Sequence, residues 1–193
     1  MTAISDLSGL HALRARRSTL RHSPVRSALR IAALTALVGA VFVVLQTPFR
    51  HWEALAVADT VSAVGFHGIV AVESSQILLS PRGSGALFWV DITPSCSSLG
   101  PALALALIAA VMSAGSPVSD RVLAGIVGVA SILIGNLLRI GSSVIVGLLE
   151  GRVSLVLFHD WVGSTFGFAY TLGGFVLILA VLLHRRRRRL ERS

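Results

Sequence analysis

Apolar stretches long enough to cross a bilayer, closed off at both ends of the chain by clusters of arginine, leave few folds open to this sequence. The chain is 54% hydrophobic and only 13% charged, with a mean hydropathy of +0.80. Few soluble domains look like this, and runs of about 20 apolar residues identify transmembrane helices. Four spans are predicted, at residues 27–47, 99–114, 122–149 and 161–183. The first is longer than the ~7–15-residue apolar core of a signal peptide. It therefore reads as an uncleaved anchor and not as a leader cut near Ala54-Leu55-Ala56. The second is short but extends backwards through Ser97 and Ser98, and the third is long enough to cross with tilt.

Charge sets the orientation. All 17 basic residues are arginine. Arg14, Arg16, Arg17, Arg21, Arg26 and Arg30 precede or enter the first span, and Arg185 to Arg189 with Arg192 follow the last. Basic clusters beside spans mark the cytoplasmic face. Both termini are thus expected in the cytoplasm, on a multi-pass protein of the cytoplasmic (inner) membrane. The same clusters account for the net charge of +8, so no nucleic-acid partner is expected and the lipid bilayer is the partner of the apolar surface. The outer segment, 48–98, sets Arg50 and Arg82 against Glu53, Asp59, Glu73 and Asp91, without the basic excess of an inner loop. The organisation is a basic tail (1–26), a membrane-embedded domain (27–183) and an arginine-rich tail (184–193).

The expected fold class is an all-α membrane protein with about four transmembrane helices and a small extracytoplasmic insertion. Within that insertion, 52–64 reads as an amphipathic helix with Glu53, Asp59 and Ser62 among apolar residues. Two β-type runs, 69–72 and 87–90, flank the turn-forming cluster 80–85 and predict a hairpin leading into Cys96. Connections 115–121 and 150–160 are read as an inner and an outer loop.

Cys96 is the only cysteine. A lone thiol makes no intramolecular disulfide, and one ligand does not hold a structural metal. It is either an inert apolar filler or a nucleophile. Arg139 lies about 25 Å beyond Val122 at a ~1.5 Å rise, close to the outer boundary of the bilayer core. Such an arginine costs about 2.5–3.5 kcal/mol to insert and usually faces a cavity or a partner, snorkelling to headgroups being the alternative. Asn136 is three residues earlier, on the same helix face. His159 precedes the last span on the same outer side; His51 and His67 lack such a setting, and His11, His22 and His184 are cytoplasmic. A thiol, a guanidinium and an imidazole on one side of a membrane are sufficient for acyl transfer through a thioester. Cys96 would be the nucleophile, His159 the general base and acid, and Arg139 the stabiliser of thiolate or oxyanion, with Asn136 in support. No phosphate loop, zinc spacing or paired-carboxylate site is present, and no cofactor or metal is expected. A non-catalytic assembly protein and a small transporter subunit that binds an anion at Arg139 are the rival readings.

The series Pro94-Ser95-Cys96-Ser97-Ser98-Leu99, Asn136-Leu137-Leu138-Arg139 and His159 resembles the exosortase/archaeosortase family over roughly residues 65–183. That resemblance implies a membrane cysteine transpeptidase or protease. Its substrates would be exported proteins with a C-terminal motif, a hydrophobic helix and a basic tail, processed by hydrolysis or by transfer to a cell-surface acceptor. The sequence departs from the family pattern at Ser98, where a glycine is usual, and is a short member with four spans.

Overall fold

The computed structural model describes residues 24–82, 86–112 and 117–191. The basic cluster through Arg21, His11 and His22, the tip of the predicted turn at 83–85, residues 113–116 and Arg192 lie outside the described residues. Of the connection expected at 115–121, residues 118–121 are the first turn of a helix and not a loop. Two compact units are distinguished, 1–37 and 38–193. The described part of the first is helix from Pro24, with Leu29, Ile31, Leu34 and Leu37 exposed. All that follows concerns the second.

Five α-helices and three strands make up the described chain: α1 (Pro24–Ala63), β1 (Ile69–Glu73), β2 (Gln76–Leu79), β3 (Phe88–Asp91), α2 (Leu99–Met112), α3 (Val118–Glu150), α4 (Arg152–Phe158) and α5 (Ser164–Leu190). A π-helical turn, His159–Gly163, joins α4 to α5. Three helical stretches are long and apolar enough to cross a membrane: Ile31–Ala63, Val118–Glu150 and Arg152–Leu190. Helix α2 has 14 residues and spans about 21 Å, less than a ~30 Å hydrocarbon core.

The first expected span and the amphipathic helix after it are one helix, running through Pro48 without a break. An interior proline costs about 3 kcal/mol and one backbone hydrogen bond. Beyond it, burial of Ala54, Val57 and Val61 on a common stripe offsets that cost. Of the apolar face expected there (Trp52, Leu55, Val57, Val61 and Val64), Val57 and Val61 are buried and the other three exposed, whereas Glu53, expected among the polar residues, is 6% exposed. The expected two-stranded hairpin is a three-stranded antiparallel sheet in the order β1-β2-β3. The additional strand, Gln76–Leu79, is reached by a tight turn in which Ser74 adopts φ 54°. The region read as an outer loop, 150–160, is helical. Gly151, at φ 86°, ends α3 and begins α4 in a backbone conformation that other residues rarely adopt.

Two clusters form the core. One joins Val57 and Val61 of α1, Ile77 and Leu79 of β2, and Val144 and Leu148 of α3. The other joins Leu105 and Ala109 of α2, Ala124 and Ile132 of α3, and Ile178 of α5. Helix α3 links them through a continuous buried stripe at every fourth position, from Asp120 through Ala124, Gly128, Ile132, Asn136, Ile140 and Val144 to Leu148. Residues four apart lie on one helix face, so the stripe is the seam along which its neighbours pack.

Candidate functional site

Cys96 lies in a turn between β3 and α2, closed by donation from the Cys96 and Ser97 N–H groups to the Thr93 carbonyl (3.0 and 3.2 Å). The turn aims its thiol at the junction of α4 and α5. There the π-helical turn carries His159, whose Nε2 is 3.2 Å from Cys96 Sγ. Arg139, on the C-terminal half of α3, places Nη2 3.3 Å from the same nitrogen. Asn136, one turn earlier on α3, donates from Nδ2 to the Cys96 carbonyl at 3.0 Å. The four candidates taken from sequence therefore meet within one hydrogen-bonded group. His51 instead serves the sheet, its Nδ1 lying 2.5 Å from the Ser74 carbonyl.

The imidazole Nε2 has one lone pair, and it faces a thiol and a guanidinium. In the neutral pair that nitrogen accepts. Once it takes the thiol proton, it donates to the thiolate instead. Thr93 Oγ1 donates a second hydrogen bond to Cys96 Sγ at 3.1 Å. Burial opposes ionisation of Cys96, but the hydrogen bonds from His159 and Thr93 and the charges of His159 and Arg139 outweigh it, lowering the thiol to about 7. A thiol that titrates near neutrality is both substantially ionised and still nucleophilic.

Close approach at Gly163 permits this arrangement: a Cβ there would lie 3.0 Å from Arg139 Nε and 3.7 Å from His159 Nδ1. That Nε is buried and has no hydrogen-bond partner among the described residues.

Beneath these groups lies a polar network centred on Glu53. Its Oε1 accepts from Ser98 N–H (2.9 Å), Ser98 Oγ (2.6 Å) and Asn136 Nδ2 (2.9 Å). On its other side Asn136 Oδ1 accepts from the Tyr170 hydroxyl of α5 at 3.1 Å. Acceptors facing Nδ2 and a donor facing Oδ1 fix the orientation of the amide. Glu53 thus ties α1, the cysteine turn and α3 together, while its Oε2 is buried without a partner among the described residues. Sequence reasoning placed Glu53 on a solvated face and did not single out Thr93 or Tyr170. The available signals were slight: an acid beside Ala54 at the start of a buried stripe, a threonine three residues before the cysteine, and the chain's only tyrosine. Ser98, the departure from the family pattern, supplies two of the three donors to Glu53.

The thiol opens onto a cleft of about 250 Å³ between the sheet and helices α3 and α4. No group of three His, Cys, Asp or Glu side chains able to hold a metal occurs among the described residues. No protein-family model matches the chain, and no curated protein or solved structure matches it.

Proposed function

We propose that this protein is a membrane cysteine peptidase or transpeptidase acting on exported proteins at the outer face of the cytoplasmic membrane. The reading is carried by a single observation: Cys96 Sγ and Arg139 Nη2 flank one nitrogen of His159, at 3.2 and 3.3 Å, beside a cleft. His159 Nε2 takes the thiol proton as Cys96 attacks a peptide carbonyl. The guanidinium beside them donates to the oxyanion of the tetrahedral intermediate. The imidazolium then returns its proton to the leaving amine, the C–N bond breaks, and an acyl thioester stays on Cys96. Water or an acceptor nucleophile releases it, giving hydrolysis or transfer to a cell-surface acceptor. The resemblance to exosortases supports a substrate with a C-terminal motif, a hydrophobic helix and a basic tail.

In this reading α2 is a fourth, short span, and both termini are cytoplasmic. The ion pairs of Asp120, at the start of α3, with Arg185 and Arg189, at the end of α5, favour one side of the membrane for these two ends. Cys96→Ala tests the reading. It should abolish processing of a motif-helix-arginine substrate in cells while the protein inserts at normal abundance. Wild-type processing by that variant would leave a non-catalytic assembly role or an anion-binding transporter subunit as the better account.

A further inference from the structure

Strand β3 is an edge. It pairs with β2 on one side, and no strand pairs with its other side among the described residues. The direction of its main-chain groups follows from one hydrogen bond: the Ile92 N–H donates to the Ser75 carbonyl at 2.9 Å, toward β2. Along a strand these groups alternate sides, so Phe88 and Val90, opposite Leu79 and Ile77, also face β2. Trp89 and Asp91 therefore turn their N–H and C=O groups outward, to the unpaired edge. An exposed row of this kind is a template for another extended chain.

The cleft beside Cys96 has the shape that such a chain requires. One wall consists of residues 88–93 without a gap. Alternate residues of a strand point to opposite faces, so a cleft against either face would skip every second one. Contact with all four residues of β3, and with Ile92 and Thr93 that follow it, fits a cleft that runs along the edge. The facing wall is apolar, with Val144 of α3 and Leu155 and Val156 of α4, and Cys96 and His159 also line the cleft. Four residues of strand cover about 13 Å at ~3.3 Å per residue, room for three or four residues of ligand.

We infer that the substrate polypeptide binds as an extended segment that adds a fourth strand to the free edge of β3, pairing its main chain with Trp89 and Asp91 and bringing its reacting carbonyl to Cys96. The inference rests on the reading of Cys96 as a nucleophile. It assigns affinity to the substrate backbone, and it leaves selectivity to the alternate side chains that meet the α3–α4 wall.

The test uses the protein in detergent micelles, where intact mass counts adducts and their loss in Cys96→Ser assigns them to the single cysteine and not to a histidine. Three reagents are compared: iodoacetamide, chloroacetone and acetyl-Ala-Ala-Ala-chloromethyl ketone, the last also N-methylated at each alanine in turn. With either chloromethyl ketone the thiolate forms a C–S bond and chloride departs, so their ratio isolates the gain from the peptide. The peptidyl reagent should be at least 10-fold faster than chloroacetone, and N-methylation should remove that gain at alternate residues only. Asp91→Pro, which deletes an outward N–H and no inward one, should lower the same ratio. A peptidyl reagent no faster than chloroacetone, or a gain indifferent to every N-methyl group, overturns the strand-edge inference. Iodoacetamide separates this from failure of the nucleophile. A pH midpoint near 7 with no peptidyl gain sinks strand addition alone, whereas an ordinary thiol profile sinks the nucleophile.

Discussion

The N-terminal half of α3, residues 118–132, meets its neighbours through Ala124, Gly128 and Ile132, which pack on Leu105 and Ile178. Its C-terminal half, residues 135–150, continues the same buried stripe but carries Asn136 into a polar network and sets Arg139 beside it. In the first half, beyond the ion pairs of Asp120 at its start, the contacts are dispersion between small and branched side chains, individually weak and tolerant of adjustment. In the second, the apolar packing of Ile140, Val144 and Leu148 is joined by directional hydrogen bonds with buried partners, where each lost acceptor strands several donors. One rod thus carries a packing surface and a chemical one, divided by little more than a turn. Changes at the polar groups of the C-terminal half should therefore move the reactivity of Cys96, and changes in the N-terminal half should move stability alone.

His159→Ala should have the largest effect. It removes the base and the strongest support for the thiolate, so processing should fall about 10²–10⁴-fold. Cys96 should then titrate above its present value of about 7. Below that value the thiol is protonated and unreactive, so wild-type alkylation by iodoacetamide should rise with pH through about 7 and the variant's at higher pH. A variant profile that superimposes on wild type would break the link between the polar group around Arg139 and the thiol.

Arg139→Lys should lower processing by about 10²–10³, because a point charge does not reproduce the donor geometry of the guanidinium. It should move the alkylation midpoint less than His159→Ala does, since the charge of Arg139 is the weakest of the influences on Cys96. Equal midpoints in the two variants would show that Arg139 acts on the thiol and not on the carbonyl.

Glu53→Ala leaves Ser98 N–H, Ser98 Oγ and Asn136 Nδ2 without their acceptor. It should cost about 1–3 kcal/mol in thermal unfolding in micelles and slow alkylation at fixed pH. Glu53→Gln retains an acceptor oxygen and should recover most of both losses.

Gly128→Ala tests the N-terminal half of α3. Its Cβ would lie 2.6 Å from Ile178 Cδ1, so Ile178 must move. A cost near the lower end of the ~1–3 kcal/mol of overpacking is expected, with the alkylation profile unchanged. A shifted profile would mean that the two halves are coupled.

Asp120→Asn should have the smallest effect. Its partner Arg189 is 48% exposed, so a loss of about 1 kcal/mol or less is expected, readable as a lower unfolding temperature that added salt masks in the wild type.

Much of this was legible before any fold was known. The apolar spacing marked the helices, and the pairing of Asn136 with Arg139 on one face followed from the 3.6-residue period alone. The site was legible to the extent that its members are rare in apolar surroundings: one thiol, one arginine within a span, one histidine before another. Glu53, Thr93 and Tyr170 were not, because each is an ordinary residue in its local segment and acquires a role only from what packs against it. The second strand was hidden for a similar reason. Gln76-Ile77-Leu78-Leu79 carries no alternation of its own, and its pairing with both neighbours identifies it as a strand.

Periodicity and charge are properties of a chain read in order, so the sequence by itself determined the apolar helices and the spacing of Asn136, Arg139 and His159 along them. Distance between segments is not such a property. Only the tertiary structure decided that α1 runs through Pro48 and buries Glu53 against Ser98 and Asn136, and that Gly163 leaves room for Arg139 beside His159. It also decided that β3, an edge strand among the described residues, borders a cleft lined by Cys96. Each depends on the sum of packing over several elements, where a buried polar group settles wherever most of its hydrogen bonds can be met.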